Sequence, residues 1–182
     1  MWVNATGSWD YFLDEVDRIV WLRRFIRTLE RRAWTCAAFC QMSTHVHLLL
    51  GIPDESLAMG MRDLNREYSY DFNIRHGRRG TFVRKRFGSR RIEDADDLLS
   101  VYCYVVLNPV REGLCLCPER WRWSSYRTTV GLSKDFPFVD ATPVIAEAGG
   151  TPGALRAAVE AAARARLEGT RPEPGSGRGL WS

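Results

Sequence analysis

Several features that would settle a protein's class at once are missing from this sequence. Its longest apolar runs, such as Leu48 to Leu50 between His47 and Gly51, fall far short of the ~20 residues a membrane-spanning helix needs. The first residues lack a signal-peptide pattern, so a soluble cytoplasmic protein is expected, nucleoid-associated if it binds DNA. The five cysteines, Cys36, Cys40, Cys103, Cys115 and Cys117, are an odd set with no C-x-x-C spacing. That argues against a zinc knuckle or dithiol pair and for reduced, mostly buried thiols. Neither G-x-x-x-x-G-K-[ST] nor G-x-G-x-x-G occurs, so no glycine-rich phosphate cradle is marked.

What is present fits one core. A chain of 182 residues with 45% hydrophobic content leaves little room for a second independent domain. Net charge is small at +4 but unevenly placed: residues 61–92 carry ten basic and three acidic side chains, while 1–60 sum to −1, 93–140 to −3 and 141–182 to +1. Phosphate neutralisation uses such a cluster; a solvated arginine face is the alternative on charge alone.

The pattern predicts an edge strand at residues 2–5 and a helix over 14–32, where Val16, Ile19, Val20, Ile26 and Leu29 recur near the helical period. Two apolar runs, 34–42 and 46–50, are broken by Ser43 and Thr44 and read as a hairpin. A helix is expected over 57–75, a strand over 82–92, and a further helix opened by Glu93, Asp94, Asp96 and Asp97, acids that suit the positive end of the helix dipole. That helix is expected to stop near Asn108, ahead of Pro109. The layout is α+β, a ferredoxin-like or RRM-like antiparallel sheet with helices on one face. Thr151, Pro152 and Gly169 frame an alanine-rich helix in cap, first-turn and C′ positions. The expected division is a main domain over 1–132, an extension over 133–169 and a disordered tail over 170–182.

Two clusters can do chemistry. His45 and His47 are two apart on a strand, so their side chains share a face, about 6.5–7 Å apart along the chain. Two imidazoles on an apolar strand need partners, which a divalent metal or structural hydrogen bonds would supply. Tyr104 and Asn108 are four apart on a helix and face the same way, while Tyr102 faces elsewhere. They offer a nucleophile and a possible ligand, or else a half-buried aromatic and a helix-ending amide.

The run Met42-Ser43-Thr44-His45-Val46-His47-Leu48-Leu49-Leu50 resembles the HUH motif of the single-tyrosine transposases of small bacterial insertion sequences, most closely the REP-associated tyrosine transposases. Ser43 and Thr44 stand where that family's M-P-N-H-V-H-L-L-L has Pro and Asn. Arg86-Phe87-Gly88-Ser89 is similar to its R-[FY]-x-S element, and Tyr104 to Leu114 to its Y-I-x-x-N-P-V-x-A-G-L. Trp123-Ser124-Ser125-Tyr126 is similar to its W-S-S. The motifs occur in the family's order. The resemblance implies an HUH endonuclease fold and cleavage of single-stranded DNA near hairpins, in which a tyrosine forms a 5′-phosphotyrosine and frees a 3′-OH. It assigns Tyr104 as nucleophile and His45, His47 and Asn108 as ligands of Mg²⁺ or Mn²⁺. Arg78, Arg79, Arg84, Lys85, Arg86, Arg90 and Arg91 are the expected DNA-binding side chains, Arg84 standing where the family usually has Gln. Trp121 and Trp123 are read as core packing in preference to base stacking.

A domesticated or inactive hairpin-binding module on the same scaffold is the alternative. A small metallohydrolase is disfavoured, because no acidic residue lies near the histidines in sequence. The family includes monomers and homodimers, and either is open here.

Overall fold

The computed structural model describes residues 2–8, 12–79, 87–167 and 169. Arg84, Lys85, Arg86 and the expected tail over 170–182 lie outside the described residues. The chain runs β1 (Trp2–Ser8), α1 (Glu15–Arg32), β2 (Thr35–Gln41), β3 (His45–Gly51), α2 (Leu57–Arg75), β4 (Gly88–Arg91) and α3 (Ala95–Arg111). A short 3₁₀ turn and three further helices follow: α4 (Tyr126–Thr129), α5 (Thr142–Glu147) and α6 (Pro152–Leu167). The sheet is antiparallel with strand order β2-β3-β1-β4, which is the ferredoxin-like arrangement expected.

Capping and spacing explain the helices. Asp14 opens α1 by accepting a hydrogen bond from the Asp17 amide at 3.0 Å, and Trp21, Leu22, Phe25 and Leu29 turn one stripe of it to the core, whereas Val16 and Ile19, expected on the apolar face, are exposed because the large aromatic side chains set the buried stripe. Asp94 opens α3 in the same way, from the Asp97 amide at 2.8 Å. The salt bridges Arg24–Asp71, Arg31–Glu67 and Arg32–Asp63 fix the register of α1 against α2. Each is worth a few tenths to about 1 kcal/mol at this exposure.

Three further expectations need correction. β1 is an interior strand flanked by β3 and β4, because β4 folds back onto residues 3–6. Helices cover both faces of the sheet. α1 and α2 pack on the side of Val46, Leu48 and Leu50, while α3 packs on the side of Leu49 and Cys40. The reason is visible in β3, whose interior residues are buried on both faces. Finally, α3 does not end at Asn108 but runs through Pro109 to Arg111. It is closed by a Schellman turn in which Leu114 N–H donates to Pro109 O at 2.8 Å and Gly113 N–H to Val110 O at 3.1 Å, with Gly113 at φ +70°.

The C-terminal third finishes the packing. Gln41 N–H donates to Trp123 O at 2.8 Å and Ser125 N–H to Phe39 O at 3.0 Å, so Trp123–Ser125 seals the outer edge of β2. Val144 of α5 and Leu155 and Val159 of α6 join the apolar cluster around α3. Thr151 caps α6 through the Ala154 amide, and Gly169 lies at φ +71° beyond its end.

Candidate metal and nucleophile site

The histidines owe their position to the turn before β3. Arg18 is buried, and its Nη1 donates to the carbonyls of Gln41 and Met42 at 3.0 and 3.1 Å. Phe12, Trp123 and Trp121 surround its guanidinium at 4.7, 5.4 and 5.7 Å. Trp121 also donates to Gln41 O at 3.0 Å and Trp123 is 9% exposed, so both tryptophans serve packing. Met42 N–H donates to His45 O at 2.8 Å, which closes the hairpin and starts β3.

From there parity decides. Val46, Leu48 and Leu50 enter the α1/α2 core, so His45 and His47 turn to the α3 side. Their Nε2 atoms approach to 2.9 Å, with the rings nearly perpendicular. Burial pushes His47 down to about 3, helped by the charges of His45 and Arg111. Burial also lowers His45, against the pull of Glu112. Both rings are therefore neutral near pH 7, the form that binds a metal. Thr44 Oγ1 lies 3.2 Å from His45 Nδ1, the nitrogen on the far side of the ring from His47.

α3 brings the phenol. The Tyr104 ring meets the His47 ring edge-on at 5.4 Å, within one chain. Arg111, seven residues on, lies over the Tyr104 ring at 4.3 Å. Asn108 is buried at 4% exposure, and its Nδ2 donates to Tyr104 O at 2.8 Å, leaving Oδ1 as the acceptor end of the amide. Tyr102 points elsewhere, paired with the Thr129 hydroxyl. An open groove of about 620 Å³ between α3 and α6 has Tyr104, Arg111 and Arg166 in its walls.

These donors fit a divalent ion. With metal–nitrogen bonds of about 2.1 Å, two ligands at a right angle lie about 3.0 Å apart, and the two Nε2 atoms are 2.9 Å apart. Two imidazoles with an amide oxygen are donors that Mn²⁺ and Mg²⁺ accept. Among the described residues no three His, Cys, Asp or Glu side chains form a ready-made metal cluster; the third donor has to be of another type or swing in.

Sequence reasoning missed Arg111 and Glu112. Glu112 Oε1 lies 3.7 Å from His45 Nε2. The spacing from Tyr104 (four, seven and eight residues) would have put Asn108, Arg111 and Glu112 on one helical face, had the helix not been ended at Asn108. Of the basic candidates, Arg78, Arg79 and Arg91 are exposed. Arg90 grips Asp97 through two hydrogen bonds of 2.7 Å.

No family model matches the chain. It is 25% identical over 115 residues to a curated Haemophilus influenzae (strain ATCC 51907 / DSM 11121 / KW20 / Rd) protein named "Putative REP-associated tyrosine transposase", covering 57% of this chain and 65% of that protein. The chain thus spans just under two thirds of that relative. A solved structure described as a REP-associated tyrosine transposase bound to a REP hairpin superposes with a TM-score of 0.62 at 16% identity. The match covers 72% of this chain and 81% of that one. The fold is therefore that of the HUH tyrosine transposases, and the resemblance read from the motifs recurs in both comparisons. Among the described residues no helix is long and apolar enough to cross a membrane.

Proposed function

From the likeness to REP-associated tyrosine transposases we propose that this chain is a nicking and strand-transfer enzyme for single-stranded DNA beside hairpins. The observation that carries the reading is the meeting, in one chain, of two converging histidine Nε2 atoms 2.9 Å apart with the ring of Tyr104, 5.4 Å from that of His47. The Tyr104 hydroxyl oxygen attacks the scissile phosphorus and loses its proton. The bond from phosphorus to the 3′ oxygen breaks, that oxygen takes up a proton, and a 5′-phosphotyrosine and a 3′-OH remain. Attack by a 3′-OH on the phosphotyrosine restores a phosphodiester, so bond energy is conserved and no nucleotide need be hydrolysed.

Free phenols, with pKa near 10, are weak nucleophiles. A divalent cation, Mg²⁺ or Mn²⁺, held by His45, His47 and Asn108 would supply Lewis-acid polarisation of the phosphate. Arg111, over the Tyr104 ring, places positive charge where an anionic phosphate arrives. Exposed Arg78, Arg79 and Arg91 would hold DNA backbone, with Arg84, Lys85 and Arg86 as further candidates.

The test is incubation with a hairpin oligonucleotide carrying a single-stranded flank and Mn²⁺, read on a denaturing gel. A covalent adduct is expected with wild type and is expected to vanish in Tyr104→Phe while hairpin binding persists. An adduct undiminished in Tyr104→Phe would overturn the assignment. Salt-sensitive hairpin binding with no adduct at any Mn²⁺ concentration would instead identify a non-catalytic binding module.

A further inference from the structure

We propose that Glu112 is an additional ligand of the cation site at His45 and His47; the inference rests on the reading above that these histidines hold a divalent ion. Glu112 is the C-cap of α3, and its Oε1 lies 3.7 Å from Nε2 of His45. That nitrogen is the one aimed at His47 Nε2, while the rear nitrogen, Nδ1, faces Thr44 Oγ1 at 3.2 Å. A carboxylate that merely orients a metal-binding imidazole accepts from the rear N–H. Glu112 instead stands on the coordinating side, where the two Nε2 atoms converge.

The distance agrees with shared coordination. Two ligands of one ion with bonds of about 2.1 Å are separated by about 3.0 Å when adjacent and about 4.2 Å when opposite; 3.7 Å falls between these limits. The Glu112 side chain is 47% exposed, so little packing opposes a small rotation of its carboxylate. The chemistry agrees too. Two neutral imidazoles and a neutral amide leave a divalent charge uncompensated, and a carboxylate adds both negative charge and the hard oxygen donor that Mg²⁺ and Mn²⁺ favour. The histidine strand offers no acid of its own nearby in sequence. The helix that carries Tyr104 delivers one eight residues later, at the position where the family motif has Ala.

The test is a titration of the full chain with Mn²⁺, free ion being followed by electron paramagnetic resonance, for wild type, Glu112→Gln, Glu112→Ala and His45→Ala. Glu112→Gln keeps the size and removes the charge at an exposed helix end, so the fold is expected to hold. Mn²⁺ affinity is expected to fall by about tenfold or more in both Glu112 variants, and to be lost in His45→Ala. If both Glu112 variants bind Mn²⁺ as tightly as wild type while His45→Ala does not, Glu112 is no ligand and the histidine site stands. If wild type holds no Mn²⁺ that His45→Ala releases, the histidine site and the role of Glu112 fall together.

Discussion

Gly60, near the start of α2, faces the six-membered ring of Trp34 so closely that a Cβ there would lie 2.2 Å from Cη2 and 2.5 Å from Cζ2. The indole has little freedom to withdraw: it is 4% exposed, and its Nε1 donates to Ser56 Oγ at 2.9 Å. Two effects oppose each other in Gly60→Ala. Alanine gains about 1 kcal/mol of helix propensity, whereas overpacking a fixed ring costs about 1–3 kcal/mol or more. The clash is well inside van der Waals contact, so a net loss of about 1–2 kcal/mol is expected in urea unfolding. Stability equal to wild type would show that Trp34 can yield. The same scale accounts for Thr44. A side-chain oxygen beside His45 Nδ1 at 3.2 Å can accept a hydrogen bond from that nitrogen's N–H, which favours the tautomer with a lone pair on Nε2. Thr44 therefore helps to orient His45.

At the scale of elements, the start of α1 and the end of α2 are tied by charge. The hydrogen bond from Arg75, with the Asp17 amide, holds the Asp14 carboxyl down at about 2 against an ordinary 3.8. Asp17, buried, shares Arg75 and lies 2.9 Å from His76 Nε2. A carboxyl whose pKa is lower in the folded chain stabilises the fold fully above its unfolded value, and that contribution disappears as pH falls through the folded value. The melting-temperature gap between wild type and Asp14→Asn is thus expected to be open at pH 6 and to close between about 4 and 2. Asn also caps helices well, so a gap that persisted at pH 2 would mean that charge is not its source. Element order was legible in this sequence because apolar runs of strand and helix length alternate with turn residues, and acids stand at the starts of α1 and α3; the face of α1 was not, since Val16 and Ile19 keep the helical period yet are exposed beside the bulkier Trp21 and Phe25. The end of α3 was misread because Pro109 disfavours a helical residue before it, while burial of Val105, Val106, Asn108 and Pro109 outweighs that local preference. The misreading hid part of the site: the helix has to run past Pro109 for Arg111 and Glu112 to share a face with Tyr104. The second layer over the sheet was hidden for a related reason, since an apolar run such as Val46–Leu50 does not say what covers its far side.

At the scale of the molecule, the excess of +7 in residues 61–92 is distributed differently from its linear order. The three acids of that segment, Asp63, Glu67 and Asp71, are engaged by arginines of α1. Two of the segment's own arginines are also held internally, Arg75 by Asp14 and Asp17 and Arg90 by Asp97. Arg79 and Arg91 are exposed, as is Arg78, which also lies over the Phe72 ring at 5.9 Å; these three are the described residues proposed to meet DNA. Position in sequence could not separate Arg90 from Arg91, because neighbours on a strand look alike until the opposite face is known to carry Asp97. This yields a discriminating experiment on hairpin binding by fluorescence anisotropy between about 50 and 200 mM salt. Each phosphate contact removed lowers the slope of log affinity against log salt by about 0.7–0.9. Replacing Arg79 or Arg91 by Ala is expected to reduce the slope by about that amount while leaving the melting temperature near wild type; Arg78→Ala is expected to reduce the slope likewise and also to lose its contact with the Phe72 ring. Arg90→Ala is expected to do the reverse: the slope stays, and stability falls by about 0.5–1 kcal/mol as a partly exposed bidentate pair is lost. Were Arg90→Ala to lower the slope at unchanged stability, the Asp97 pair would have to open for DNA, and Arg90 would return to the binding surface.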